Sequence, residues 1–250
     1  MSGGIKTVDF HTHILPCVDD GSRSVHESVQ MVRSLAADST DCIVLTPHFY
    51  ARRDNPDRFF TRRDRAFAEL AEALAVEENF SVPRLVPGAE IEYFEGISSL
   101  GDYPAFRLGS SRCLLLEMPL GKWTSRVIDD VLQLNSRSDC RVILAHVERY
   151  LLDQPKDTVR ILLQNGVLMQ SNATFFYTRR TMRKALSMLK RGCVHLLGSD
   201  CHNMTTRPPD LVKACGVITD RMGKECLAEI MQRAHYILFE NNIQTNMRQP

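Results

Sequence analysis

The chain has 250 residues, of which 44% are hydrophobic and 24% charged, a balance that excludes an intrinsically disordered protein and gives enough length to bury a sizeable core. Lys and Arg total 31 against 30 Asp and Glu, so the net charge of +1 supplies no field for holding a nucleic-acid backbone or an anionic membrane. No apolar run reaches the roughly 18 residues of a membrane span, and the first residues lead into a strand without a signal-peptide core, so a cytoplasmic protein is expected.

Seven apolar runs of strand type follow one another: Thr7–Phe10, Cys42–Thr46, Leu85–Ile91, Cys113–Met118, Arg141–Ala145, Val167–Ser171 and Val194–Ser199. Segments of helical period separate them, at Ser24–Ala37, Asp57–Glu78, Thr124–Ser136, Pro155–Gln164 and Arg179–Lys190. Two more, Pro209–Met222 and Lys224–Glu240, follow the last strand. Strands that are apolar along their whole length suit a parallel sheet covered by helices, which implies a β/α barrel or a doubly wound sheet. No linker or internal repeat divides residues 1–250, so one domain is expected. Tyr50–Pro56 and Tyr93–Leu108 are the expected insertions over the mouth of a site. The eight cysteines are scattered without a C-x-x-C pair, which argues against a disulfide framework or a zinc ribbon.

Six of the seven strands end in a residue able to bind a metal. They deliver His11 and His13, His48, Glu90, Glu117, His146, and Asp200 with His202. In a β/α barrel these ends share one face, and side chains two apart on a strand point the same way. A lone histidine at such a position is usually a hydrogen-bonded rim residue. Burying five histidines and several carboxylates together without a cation, however, carries a heavy desolvation cost. Imidazole mixed with carboxylate points to Mn²⁺, Fe²⁺ or Zn²⁺ rather than to a thiolate zinc site. His26, His195 and His235 fall outside the constellation and are expected to be structural.

These residues resemble the polymerase and histidinol phosphatase (PHP) superfamily. Asp9-x-His11-x-His13-Ile-Leu-Pro, Asp19-Asp20-Gly21, His146-Val-Glu-Arg149-Tyr150 and Ser-Asp200-x-His202-Asn203 with Arg207-Pro-Pro209 are most similar to its bacterial manganese-dependent tyrosine-protein phosphatases of the CpsB/YwqE type. The resemblance implies a distorted (β/α)7 TIM-like barrel and up to three divalent ions, Mn²⁺ before Fe²⁺, Co²⁺ or Zn²⁺. It implies one ion held by His11, His13, Glu90 and Asp200, with Glu90 bridging to a second completed by Glu117 and His146. Asp20, His48 and His202 would hold a third, and adjacent Asp19 is an alternative to Asp20. The expected reaction is hydrolysis of a phosphomonoester by in-line attack of a metal-activated hydroxide. Arg149 and Arg207 are expected on the phosphoryl oxygens, and His48 and Asp20 are candidates for proton delivery. The implied substrate is a phosphotyrosine protein, a tyrosine autokinase of capsule or exopolysaccharide synthesis. Phe49 to Arg53 need not match any one member, which puts substrate preference in question more than hydrolysis.

Other readings compete. Hydrolysis of histidinol phosphate or another small phosphomonoester is the near alternative, and an amidohydrolase-type barrel also opens with His-x-His. A noncatalytic metal-binding regulator of polysaccharide synthesis is an alternative of another class. The Cys-x5-Arg spacing of thiol phosphatases occurs at Cys17…Arg23 and Cys201…Arg207, but the first loop carries two repelling aspartates and the second lacks glycine.

Overall fold

The computed structural model describes residues 5–101 and 103–239. The described residues form nine strands and eight α-helices. The strands are β1 Thr7–Thr12, β2 Thr40–Leu45, β3 His48–Phe49, β4 Arg84–Pro87, β5 Glu90–Glu92, β6 Cys113–Glu117, β7 Arg141–Leu144, β8 Leu168–Asn172 and β9 Leu196–Gly198. The helices are α1 Val25–Ala37, α2 Pro56–Ala75, α3 Ser125–Ser136, α4 Lys156–Gln164, α5 Ala173–Tyr177, α6 Met182–Lys190, α7 Leu211–Met222 and α8 Lys224–Phe239. All strand pairings are parallel, in the orders β1-β2-β4 and β3-β5-β6-β7-β8-β9.

The two sets form one curled sheet. The chain passes from the first set into the second at Thr46–Pro47 and again at Gly88–Ala89, and across that step the Gly88 N–H donates to the Leu45 carbonyl of β2 at 2.9 Å. At the other side, Asp200 N–H donates to His11 O and His13 N–H to Cys201 O, so the chain just beyond β9 lies beside β1. Gly198 makes that approach possible: a Cβ there would sit 2.5 Å from the His11 Cβ and 2.9 Å from the Gln170 amide nitrogen.

Local chemistry explains the helices. Ser24 caps α1 by accepting from Glu27 N–H, and Val29, Val32 and Leu35 bury its apolar stripe. Asn55 caps α2 and Pro56 occupies its first turn, where the missing N–H costs nothing. The stripe of α2 runs through Phe59, Arg63, Ala66, Leu70 and Leu74. Buried Arg63 donates to the carbonyls of Ala105 and Gly88, tying the helix to the bend that carries Glu90.

The expected third strand, Leu85–Ile91, is interrupted: Gly88 and Ala89 separate β4 from β5 because Gly88 passes against Leu108, leaving 2.5 Å to the nearest carbon for an added Cβ. The expected second strand likewise stops before Pro47 and resumes as β3. The seventh is shorter than Val194–Ser199, the helix expected from Arg179 begins at Met182, and α5 was not anticipated. Glu240, the expected end of the last helix, lies outside the described residues, as does Asp102 within the segment Tyr93–Leu108. That segment is no simple flap, since Ile97, Phe106 and Leu108 are fully buried and Phe106 packs on Phe49, Phe59 and Phe60. Tyr50–Pro56 does border the site.

Candidate metal centre

All nine residues singled out as ligands meet at the C-terminal ends of the strands. Three groups of nitrogen and oxygen donors are close enough to share a cation: His13, Asp20, His48 and His202; His11, His13 and Asp200; and His48, Glu90 and Glu117. His146 joins the last through Nε2, at 2.7 Å from Glu90 and 3.3 Å from Glu117. Glu90 is central: its Oε1 faces His146, and its Oε2 lies 3.1 Å from His11 and from His48 and 3.3 Å from His13.

The hydrogen bonds fix which ring nitrogens remain open. Gln170 Oε1 accepts the His146 backbone N–H at 2.8 Å, so it is the amide oxygen, and His11 Nδ1 lies 3.1 Å from it. His13 Nδ1 donates to the Asp19 carboxylate at 2.7 Å, and His202 Nδ1 to the Asp200 carbonyl at 3.0 Å. Each ring therefore turns its Nε2 inward. The His202 Nε2 and His48 Nδ1 are buried without a hydrogen-bond partner, the latter out of line for hydrogen bonding although 3.1 Å from Glu90. A pocket walled by lone pairs and carboxylates is stable only with cations or bound protons inside it.

The same charge balance governs the ionisation of the metal-free chain. Burial opposes charging His146, but Glu90 and then Glu117 lift its pKa to about 9. Burial also opposes His13, which Asp19 raises well above the ordinary range. Glu90 and Asp200 stay well below the usual carboxylate range in spite of burial, because His11 and neighbouring imidazoles surround them. Burial and the nearby His13 charge push His202 down to about 3.

Position distinguishes the two adjacent aspartates. The Asp19 side chain is buried and committed to His13 Nδ1, the His48 N–H and the Gly21 N–H. Asp20 is 66% exposed, with Oδ1 3.7 Å from His48 and 3.5 Å from His202. Gly21 permits the tight turn, since a Cβ there would collide with the His13 carbonyl.

Arg149 and Arg207 converge on one atom, Asp200 Oδ2, at 2.7 and 2.6 Å, and Asn172 Nδ2 donates to it at 2.6 Å. Both arginines border a cavity of about 380 Å³ whose walls include Phe175, Tyr177 and Pro208. Asp200 and His146 adopt positive φ, 55° and 29°, so two candidate ligands occupy the sparsely populated left-handed side of backbone space.

Several residues take roles that the sequence did not assign to them. Asp19, Gln170 and Asn172 orient candidate ligands, and Glu148 is half-buried where it accepts from Ser171 and from the Asn172 N–H. Asp9, whose pKa burial raises to about 6, accepts from the N–H groups of His11 and Ser199 and fastens β1 to the end of β9. A polar residue inside an apolar strand was the available signal for Asp9 and Gln170. The thiol alternative at Cys201 loses its nucleophile: Cys201 is fully buried, and its thiol is pushed well above the ordinary range by burial and by Asp9, whereas Cys17 is exposed. His195, on the strand approach, and the helical His26 and His235 lie outside the three ligand groups.

The family model for capsular polysaccharide synthesis, CpsB/CapC, matches residues 7–240. The tyrosine-protein phosphatase CpsB of Streptococcus agalactiae is 27% identical over 250 residues, covering 94% of this chain and 96% of that one. CpsB of Streptococcus pneumoniae is 28% identical over 240 residues, covering 89% and 94%. A chain from the crystal structures of YwqE from Bacillus subtilis and CpsB from S. pneumoniae, described as unique metal-dependent tyrosine phosphatases, shares this fold with a TM-score of 0.80 at 23% identity over 97% of each chain. With the matched region spanning every described strand, the chain belongs to the CpsB/CapC family of capsular polysaccharide synthesis.

Proposed function

We propose that this protein is a metal-dependent phosphomonoesterase, a protein-tyrosine phosphatase acting on a tyrosine autokinase of capsule or exopolysaccharide synthesis. The observation that carries the reading is the donor-lined pocket around Glu90 with two arginines at its rim. Inward-facing Nε2 atoms and carboxylates fit divalent cations, and the absence of cysteine from all three described donor groups favours Mn²⁺, Fe²⁺, Co²⁺ or Zn²⁺ in an open site. His11, His13, Glu90 and Asp200 would hold one ion, Glu90, Glu117 and His146 a second, and Asp20, His48 and His202 a third. The names of the relatives support phosphotyrosine as the substrate class and a metal-dependent reaction, and the mixed imidazole and carboxylate donors make manganese the first metal to test.

Divalent ions would neutralise the phosphate dianion and make water a competent nucleophile near neutral pH. The chain's own residues supply the rest. Arg149 and Arg207, both paired with Asp200 Oδ2, are placed to transfer guanidinium contacts to phosphoryl oxygens in the adjoining cavity. Asp19 and Gln170 keep His13 and His11 in the tautomer that presents Nε2. Asp20 and His48 face the solvent side of the pocket, which suits them to deliver a proton to the leaving phenolate.

Two coarser features fit this assignment. Taking β2 with β3, and β4 with β5, as single interrupted strands gives the seven of a distorted (β/α)7 barrel, one PHP-type domain across residues 1–250. All eight cysteines are free, which suits a reducing cytoplasm, and among the described residues no helix is long and apolar enough to cross a membrane.

The test is a hydrolysis panel of p-nitrophenyl phosphate, a phosphotyrosine peptide and histidinol phosphate, using chelated protein resupplied with Mn²⁺, Fe²⁺, Co²⁺, Mg²⁺ or Zn²⁺. Turnover of the two aryl phosphates with Mn²⁺ and none in EDTA is expected. Preference for histidinol phosphate would reassign the substrate, and metal binding without any turnover would make the chain a regulator.

A further inference from the structure

Beside the donor pocket, away from the Arg149 and Arg207 cavity, lies a second cavity of about 520 Å³. Asp20 and His48 form its inner wall, and Tyr50, Arg53, Arg58 and Arg62 line the rest. Arg62 is consumed by the fold: it pairs with Asp54 at 2.6 Å and donates to the Val18 carbonyl, bracing the loop between β3 and α2. Arg53 and Arg58 are different. Both are exposed, and among the described residues neither has a carboxylate within ion-pair distance, although the chain pairs many of its other arginines.

Position makes these two charges relevant to the reaction. The Tyr50 ring stacks on His48 with centroids 5.0 Å apart, and the Arg53 guanidinium lies 5.4 Å from the Tyr50 ring. Two contacts thus link Arg53 to a candidate ligand. An extended peptide advances roughly 3.3 Å per residue, so a side chain two or three positions from a phosphorylated residue in the donor pocket falls at this distance. The phosphoryl group has its own arginines on the other side, which leaves Arg53 and Arg58 for a different anion.

We infer that the segment from Tyr50 into the first turn of α2 is a specificity element whose Arg53 and Arg58 bind an anionic group of the substrate peptide near, but distinct from, the scissile phosphate. This rests on the phosphatase reading above and adds the substrate's sequence context to it. Either an Asp or Glu side chain or a second phosphorylated tyrosine would supply that anion. Tyr50 provides the floor between the two subsites, its ring packed on His48 and under Arg53.

The experiment measures kcat/KM of the manganese-loaded protein on four substrates: p-nitrophenyl phosphate, a phosphotyrosine peptide with neutral flanks, one with Glu two and three positions away, and one with a second phosphotyrosine there. The wild type should favour the anionic peptides over the neutral one by roughly 3–10-fold at low salt, with the advantage shrinking as salt rises. Arg53→Glu with Arg58→Glu should erase or reverse that order while p-nitrophenyl phosphate turnover stays unchanged. The ranking of the glutamate and doubly phosphorylated peptides identifies the anion. Equal rates on all peptides, or the same preference in the double variant, would overturn the inference and leave the phosphatase reading standing. Silence on all four substrates would remove both.

Discussion

The Nε2 atoms of His11 and His13 lie 3.0 Å apart, while the Nδ1 of each is engaged by the side chain of Gln170 or Asp19. Two imidazole lone pairs at that separation repel unless a proton or a metal ion lies between or beside them. In the metal-free chain a proton fills the role, and the carboxylates of Asp19, Glu90 and Asp200 hold it there. Metal binding is therefore an exchange reaction, and this shapes the first expectation.

Loading the site should release protons at neutral pH. His146 has its pKa lifted to about 9 and His13 is raised well above the ordinary range, so both carry protons at pH 7, yet each must offer a lone pair to a metal. Apparent Mn²⁺ affinity should weaken as pH falls and strengthen as it rises toward 9. Calorimetric titration in buffers of different ionisation enthalpy would register the release; heats independent of the buffer would contradict it.

Removing the partner of an imidazole should loosen the ligand without deleting it. Asp19→Ala leaves His13 in place but frees its ring and tautomer, and it also strips an acceptor from the His48 N–H. A drop of roughly 10–100-fold in metal affinity is expected, with the far-ultraviolet circular dichroism retained. An unchanged Mn²⁺ titration curve would show that Asp19 orients nothing.

Replacing a ligand outright should be harsher. His13→Ala and Asp200→Ala should abolish aryl-phosphate turnover with the fold retained, whereas Cys17→Ser should leave turnover intact. Loss of activity in Cys17→Ser, or survival in EDTA, would revive thiol chemistry.

Strand approach sets a further test. Gly198→Ala places a methyl group against His11 and Gln170, forcing β9 away from β1, and should destabilise the protein by roughly 1–3 kcal/mol. Chemical denaturation of the metal-free protein measures this without reference to activity. A midpoint equal to that of the wild type would mean that the sheet relaxes freely there.

His195 governs a separate acid dependence. Burial and then Arg233 lower its pKa to about 4, and its Nδ1 accepts the Met169 N–H. The folded protein holds the neutral ring, so the associated stability is present above pH 6.5 and is lost as pH falls from 6.5 toward 4, at most about 3 kcal/mol. His195→Asn, which keeps an acceptor for Met169, should flatten this part of the stability profile. An identical slope in the variant would locate the acid sensitivity elsewhere.

The strand ends were legible because each candidate ligand follows an apolar run, and parallel strands with helical crossovers must present their C-terminal ends on one face. That logic extended to His11, His13, His48, Glu90, Glu117, His146, Asp200 and His202 without any contact being known. Interruptions at Pro47 and Gly88 were harder to read, because whether a strand continues through a proline or glycine depends on what packs against it, here Leu108 beside Gly88.

By itself the sequence determined the α/β pattern, the chemistry of the donor set and the side of the sheet on which the donors lie, since alternation and apolar periodicity are local properties. Only the tertiary structure separated Asp19 from Asp20, assigned Gln170 to His11, brought Arg149 and Arg207 to one oxygen of Asp200 and left Arg53 and Arg58 without a carboxylate partner among the described residues. The physical reason is that these depend on distances between side chains far apart in the chain. Which of two adjacent carboxylates turns inward, and which cation finds a partner, is decided by packing and Coulomb energy summed over the whole fold.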